Sequence, residues 1–331
     1  MTKQMWGKAL PIVVLIILLC TFPFILPPYY LDVTTFLLIN LILVVSYRLI
    51  TTMGLWSFAH IPLMGMGGYT AGLLVNRLGL SFWGALPLGV LAAAATGLII
   101  GFPVLRTRGF YFFLATFAAG EAIRWSWILF REPFGSYAGI GVIPRPGPIL
   151  GISFVSPTTY YYLVLGFTLL SLAIIYRLEH SRIGLTINAI RSSEPLSEAI
   201  GIKTLLYRNA VFVIAAAFAG LAGVLFSLYT GTASPGDYTS VYGINILIFV
   251  IVGGPASFWG PIIGAVVLTA VREALRGFLE LVPLIYGIIL IVVVLLQPEG
   301  LVGLPKRISS QVEKWKARRM MGYNNTRGSK N

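Results

Sequence analysis

Ten apolar runs, near residues 9–27, 32–50, 57–75, 82–105, 110–130, 160–178, 208–230, 239–254, 257–275 and 281–297, set the terms on which this chain can fold. Most approach the roughly 20 residues that carry a helix across about 30 Å of hydrocarbon. Lipid offers no partner to a free N–H or C=O, so a segment that spans it must pair its backbone internally. With 57% hydrophobic and 11% charged residues, 331 residues cannot hide this apolar surface in one water-soluble core. The expectation is an all-α membrane protein, a polytopic bundle of about ten transmembrane helices. The 57–75 run is the least regular, carrying Pro62, Gly65, Gly67 and Gly68, and is predicted to be a kinked or partly re-entrant helix packed inside protein.

The basic residues fix an orientation. With a cytoplasmic N-terminus and ten crossings, eighteen of the 24 Lys and Arg fall inside, eight of them in the tail from Lys306 to Lys330. Arg77, Arg124, Arg131, Arg145, Arg272 and Arg276 fall at or near the outside. That bias satisfies the positive-inside rule and places both termini in the cytoplasm. The net charge of +13 then needs no nucleic-acid partner, because a basic tail beside an anionic leaflet accounts for much of it. The chain divides into a membrane domain, 1–305, and a basic cytoplasmic tail, 306–331. Lys3 and Lys8 before an apolar stretch and Cys20 imitate a lipoprotein signal, but Leu18 and Leu19 stand where cleavage requires small residues, so an uncleaved first helix is expected. A single cysteine makes no internal disulfide.

Between two of the apolar runs lies a polar interruption, about 179–208, with the grammar of a short capped helix. Ser193 or Glu194 can accept the first free N–H groups, Pro195 suits a first turn, and Gly201 can take the left-handed conformation that ends the helix. Glu194 and Glu198 share one face, and Leu196, Ala199 and Ile200 make a small apolar one. Such a helix at a membrane surface reads as a docking plug. The opposite loop, about 131–159, is rich in proline and glycine and is expected to fold as a compact lid or a partner-docking surface.

No G-x-x-x-x-G-K-[ST] phosphate loop occurs, so nucleotide is not bound in that manner. His60 and His180 lie in different segments with no carboxylate at ligand spacing, and no catalytic or metal-binding constellation is present. Glu121 and Arg124 are an ionisable pair within an apolar run, read either as part of a path or gate or as a structural pair near the outer end. Arg272 and Glu273 are taken as interfacial. Gly68-x-x-x-Gly72, Gly97-x-x-x-Gly101, Gly260-x-x-x-Gly264 and the run Ala219–Gly223 permit close helix approach. Gly54-x-x-Ser57-Phe58 is echoed weakly by Gly254-x-x-Ser257-Phe258.

Five motifs in order resemble one family. They are Gly54-x-x-Ser57-x-x-His60 with Gly65-x-Gly67-x-Tyr69-Thr70; Arg106-x-Arg108-Gly109-x-Tyr111-Phe112 with Glu121; Ser181 through Gly201-Ile202 leading to Ala219-Gly220-Leu221-Ala222-Gly223; Gly253-Gly254 with Trp259-Gly260-Pro261 and Gly264-Ala265; and Pro298-x-Gly300-Leu301. Together they resemble LivM-like permeases, the membrane subunits of branched-chain amino acid ABC importers, over most of the chain. The resemblance implies that the polar interruption is a cytoplasmic coupling loop, with Arg191, Glu194, Leu196, Glu198, Ile200 and Gly201 meeting an ATPase. It also implies a second homologous permease, two ATPase subunits that hold the ATP and magnesium, a periplasmic or extracellular substrate-binding protein, and a bacterial plasma (inner) membrane. His60 matches the family's histidine; a hydrogen bond to irregular backbone is favoured over substrate contact, with Glu121 and Arg124 the other candidates for the path or its gate. Where members carry T-G-G-x-x-G-I, this chain has Phe134-Gly135-Ser136-Tyr137-Ala138-Gly139-Ile140, which leaves urea, short amides and aromatic acids beside branched-chain amino acids as cargo. An ATP-independent transporter or channel would need intramembrane charges, of which Glu121 with Arg124 qualifies, and an intramembrane enzyme would need an acid pair or metal ligands.

Overall fold

The computed structural model describes residues 19–25, 27–148, 153–297 and 300–303, and the basic tail and most of the first apolar run lie outside them. Residues 19–25 are helical, and the main helices that follow are α1 (Pro28–Thr51), α2 (His60–Leu78), α3 (Phe82–Val104), α4 (Phe110–Leu129), α5 (Pro157–Glu179), α6 (Arg182–Ser192), α7 (Glu194–Ala199), α8 (Thr204–Thr230), α9 (Ser240–Gly253), α10 (Trp259–Ala274) and α11 (Val282–Leu296). Among the described residues α1, α3, α5 and α8 are long and apolar enough to cross a membrane; α9 and α11 are apolar but shorter. The described residues fall into two compact units that meet in sequence between Ile246 and Leu247.

In the first unit α2, α3 and α8 form the centre, with α1 against α8 and α5 against α1. Small residues make this possible. A methyl group on Gly67 would strike the Gly220 backbone, one on Gly223 the Met64 carbonyl, and one on Gly97 the Ala216 side chain. Lipid-facing helices gain no hydrophobic drive from pairing with one another, so close van der Waals approach of backbones supplies the cohesion instead. These contacts also correct the expectation for 57–75. The helix α2 runs unbroken from His60 to Leu78, and its glycines are contact points rather than breaks: Gly67 and Gly68 meet α8, Gly65 meets Trp127 and Tyr238, and Gly72 meets Ile143. Pro62 lies in the first turn, where a missing N–H costs little.

Irregular backbone sits instead on either side of a helix start. Residues 55–59, between α1 and α2, are held by side chains: the Ser57 N–H donates to Tyr47 Oη at 3.1 Å, Phe58 N–H to Thr116 Oγ1 at 3.1 Å, and Ala59 N–H to Ser57 Oγ at 3.2 Å. Residues 231–239, between α8 and α9, are the larger interruption. Ala233 and Ile140 exchange both backbone hydrogen bonds, at 2.8 and 2.9 Å, and Ile143 N–H donates to the Gly231 carbonyl at 2.8 Å. Asp237 Oδ2 accepts from the Ser234 N–H at 2.9 Å and from its hydroxyl at 2.8 Å. Non-helical backbone is tolerated at membrane depth on this condition, that protein satisfies it.

The second unit is built on the close return of α10 against the end of α9. Added methyl groups on Gly260 and Gly264 would meet the carbonyls of Gly254 and Phe249, and Tyr286 Oη of α11 donates to the Leu268 carbonyl at 2.7 Å. Gly54 and Gly254, the two echoed glycines, both have positive φ, 76° and 106°, and each precedes a glycine-containing helix.

Candidate functional site

The first unit has two polar ends. At one end Arg48, near the last turn of α1, pairs with Glu179, the last residue of α5, and the α3–α4 connection carries Arg106 and Arg108. At the far end Tyr229 donates to Asp32, Arg77 pairs with Glu132, and the 134–143 segment folds over α2.

The sequence 181–203 folds at the first end as two helices. Ser193 is the N-cap of α7: its hydroxyl accepts from the Leu196 N–H at 3.4 Å, and Glu194 is the first helical residue. Gly201 has φ 86° with open space around its Cα, so the left-handed backbone, not crowding, makes glycine fit there. The helix is fastened from within. Arg208 of α8 donates to Glu194 at 2.8 Å, Arg108 stands 3.5 Å from the other carboxylate oxygen, and Glu198 accepts from the Thr204 hydroxyl at 2.7 Å. Glu194 therefore lies inward, with its side chain 21% exposed, while Leu196 and Ile200 are 65% and 71% exposed. Arg191 packs its side-chain stem near Gly54 in the α1–α2 turn.

His60 is buried. Its Nε2 lies 3.0 Å from Ser46 Oγ and its ring meets Tyr47 edge-on, so it joins the start of α2 to α1. Glu121 and Arg124 do come together: one carboxylate oxygen accepts from Arg124 Nε at 2.9 Å and from its terminal nitrogen at 2.7 Å. The other accepts from the hydroxyl of Ser240, the first residue of α9. Glu121 is roughly 17 Å from the start of α4 and roughly 12 Å from its end, at 1.5 Å per residue. The pair is thus near the middle of α4, and the start of α9 meets it there through Ser240, at the end of the irregular 231–239 segment.

Sequence reasoning overlooked Ser240, Arg48, Glu179 and the inward role of Arg208. Arg48 and Arg208 sit at the edges of apolar runs, where a basic residue serves equally for topology or for pairing. Departure from the family's loop motif is partly explained: Ser136, where members have glycine, adopts φ 56° and donates its hydroxyl to the Ile128 carbonyl at 2.8 Å. Phe134 packs edge-on against Tyr69. Gly139 abuts the Ala233 carbonyl and Ile140 makes the bridge, so the positions retained are those that close the loop onto 231–233.

Residues 29–296 match the family model for the permease component of the branched-chain amino acid transport system. The chain belongs to this permease family. It is 32% identical over 314 residues to the high-affinity branched-chain amino acid transport system permease protein LivM of Escherichia coli (strain K12), which covers 88% of this chain and 74% of that protein. LivM of Salmonella typhimurium (strain LT2) is 32% identical over 311 residues, covering 87% and 73%. The permease protein LivH of Escherichia coli (strain K12) is 29% identical over 138 residues, 41% of this chain and 44% of that protein. No solved structure matches the chain. It is an all-α, membrane-embedded permease subunit of an ABC importer and a transport component rather than an enzyme.

Proposed function

We propose that this permease carries branched-chain amino acids across the bacterial plasma (inner) membrane, in a complex with a second homologous permease, two ATPase subunits that bind ATP and magnesium, and a soluble substrate-binding protein outside. In this reading the end bearing α6 and α7 faces the cytoplasm, as do both termini, and α7 is the coupling element. The observation that carries it is the exposure of Leu196 and Ile200 on a helix that spends its own polar groups on internal bonds. Leu185 of α6 and Leu206 of α8 are also exposed at this end, 66% and 59%. Exposed leucine and isoleucine on a segment that also carries the exposed Arg182 and Arg191 suit a protein partner.

Movement of an ATPase groove would pull α7, and Glu194 would pass that pull to α8 through Arg208 and to the α3–α4 connection through Arg108. The helix α8 packs along α2 and α3, so the bundle would move as a body and open to alternate sides. Glu121 and Arg124 are the path residues in this reading, and His60 braces the start of α2. The test is uptake of leucine, isoleucine and valine by vesicles holding the assembled complex. Uptake should require ATP inside, the binding protein outside, and an intact α7.

A further inference from the structure

Among the described residues four ion pairs of the first unit lie at its ends: Arg48 with Glu179, Arg108 and Arg208 with Glu194, and Arg77 with Glu132. Glu121 with Arg124 lies in the middle part of α4, away from both ends, with side chains 21% and 20% exposed. Both residues belong to α4, three apart, so the pair ties the helix mainly to itself and contributes little to the tertiary structure beyond the single bond to Ser240. An ion pair at depth is costly to desolvate, and apolar residues of similar size would hold a helix as well or better. Its presence at a part-exposed position within an apolar helix calls for something that uses the charges.

We infer that Glu121 and Arg124 form a zwitterion-binding site, Arg124 receiving the α-carboxylate of the cargo and Glu121 its α-ammonium. The guanidinium already gives two N–H donors to a single carboxylate oxygen, and its fork suits both oxygens of an incoming carboxylate. As cargo arrives, one intramolecular pair becomes two intermolecular ones. Total charge stays at zero throughout, which low dielectric favours. An anion alone would leave Glu121 without a counter-charge, and a cation alone would leave Arg124 so. Two further contacts suit the exchange. The Arg124 guanidinium lies 5.6 Å from the Trp125 ring centroid, a second foothold while its carboxylate is shared. The Ser240 hydroxyl holds Glu121 by its other oxygen, at the positive N-terminus of the 14-residue α9. The 231–239 segment brings that terminus to the middle part of α4, beside the pair.

This rests on the amino acid reading above, and the experiment separates the two. Binding of radiolabelled leucine to the purified complex, without the binding protein, would be competed with unlabelled leucine, with 4-methylpentanoate, which lacks the ammonium, and with 3-methylbutylamine, which lacks the carboxylate. Leucine should outcompete either analogue by about tenfold or more, the scale of one charge-assisted contact. Glu121→Gln should narrow the preference over 4-methylpentanoate, and Arg124→Gln the preference over 3-methylbutylamine. Glu121→Gln with Arg124→Gln, which strands no charge and so protects folding, should assemble and lose both preferences. A merely structural pair would weaken all three ligands together. The proposal is overturned if the analogues compete as well as leucine in the natural protein, if the variants shift all ligands equally, or if the complex takes up leucine with ATP yet shows no saturable binding. Absence of ATP-driven leucine uptake in the natural complex would instead remove the cargo reading, and the site with it.

Discussion

Glu194, the first residue of α7, accepts a 2.8 Å hydrogen bond from Arg208 near the start of α8, joining the exposed polar segment to the longest described helix of the first unit. The Arg208 side chain is 6% exposed, so its charge depends on that carboxylate. Glu194→Gln leaves a buried guanidinium without a counter-charge, which should cost about 2–4 kcal/mol. Glu198, which meets only the Thr204 hydroxyl in this region and is solvent-exposed, should tolerate Gln with a loss of about 1 kcal/mol or less. Thermal unfolding of the purified chain in detergent should therefore separate the two variants clearly. Equal midpoints would show that the Glu194–Arg208 contact is not a structural joint.

Close helix approach gives a second contrast. Gly223→Ala would press a methyl group into the Met64 carbonyl, and Gly67→Ala one into the Gly220 backbone. Each should destabilise by about 1–3 kcal/mol or prevent assembly, because backbone cannot yield as a flexible side chain does. Gly166→Ala in α5 meets nothing within 4 Å and should be neutral or stabilising by about 0.5–1 kcal/mol. The measurement is the yield of folded protein together with the unfolding midpoint. A loss at Gly166 equal to that at Gly223 would contradict the packing account.

Much of this was legible in the residues, and the rest was not for identifiable reasons. The cap at Ser193, Pro195 in the first turn and the left-handed Gly201 follow from local chemistry, which sequence displays directly. Gly67 and Gly68 were ambiguous, because glycine both loosens a helix and lets another approach; which of these holds depends on Gly220 and Gly223, over 150 residues away in sequence. The interruption at 231–239 gave only a weak local signal. Gly231, Pro235 and Gly236 lie between two apolar runs and resemble an ordinary surface turn, and only pairing with Ile140 and Ile143 reveals that the segment goes inward. Glu121 and Arg124 were readable as a pair from their spacing, but Ser240 was not, since its approach depends on where α9 begins.

Orientation can be checked by thiol labelling in a Cys20→Ser background. Leu185→Cys, on the exposed part of α6, should react with an impermeant reagent only after the membrane is opened, whereas Gly147→Cys, in open space in the 131–159 loop, should react from outside in sealed cells. Labelling of both from the same side would contradict the placement of these segments at opposite ends.

The central claim is that α7 carries the work of ATP hydrolysis into the membrane helices through Leu196 and Ile200. Both side chains are exposed, so Leu196→Asp and Ile200→Asp should leave the permease folded and inserted while removing apolar contact with the ATPase. The direct measurement is ATPase activity of the reconstituted complex with and without cargo-loaded binding protein. The account predicts that stimulation falls by about tenfold in each variant, the equivalent of about 1.4 kcal/mol of lost contact, with the two permeases still associated. Full stimulation in both variants would contradict it.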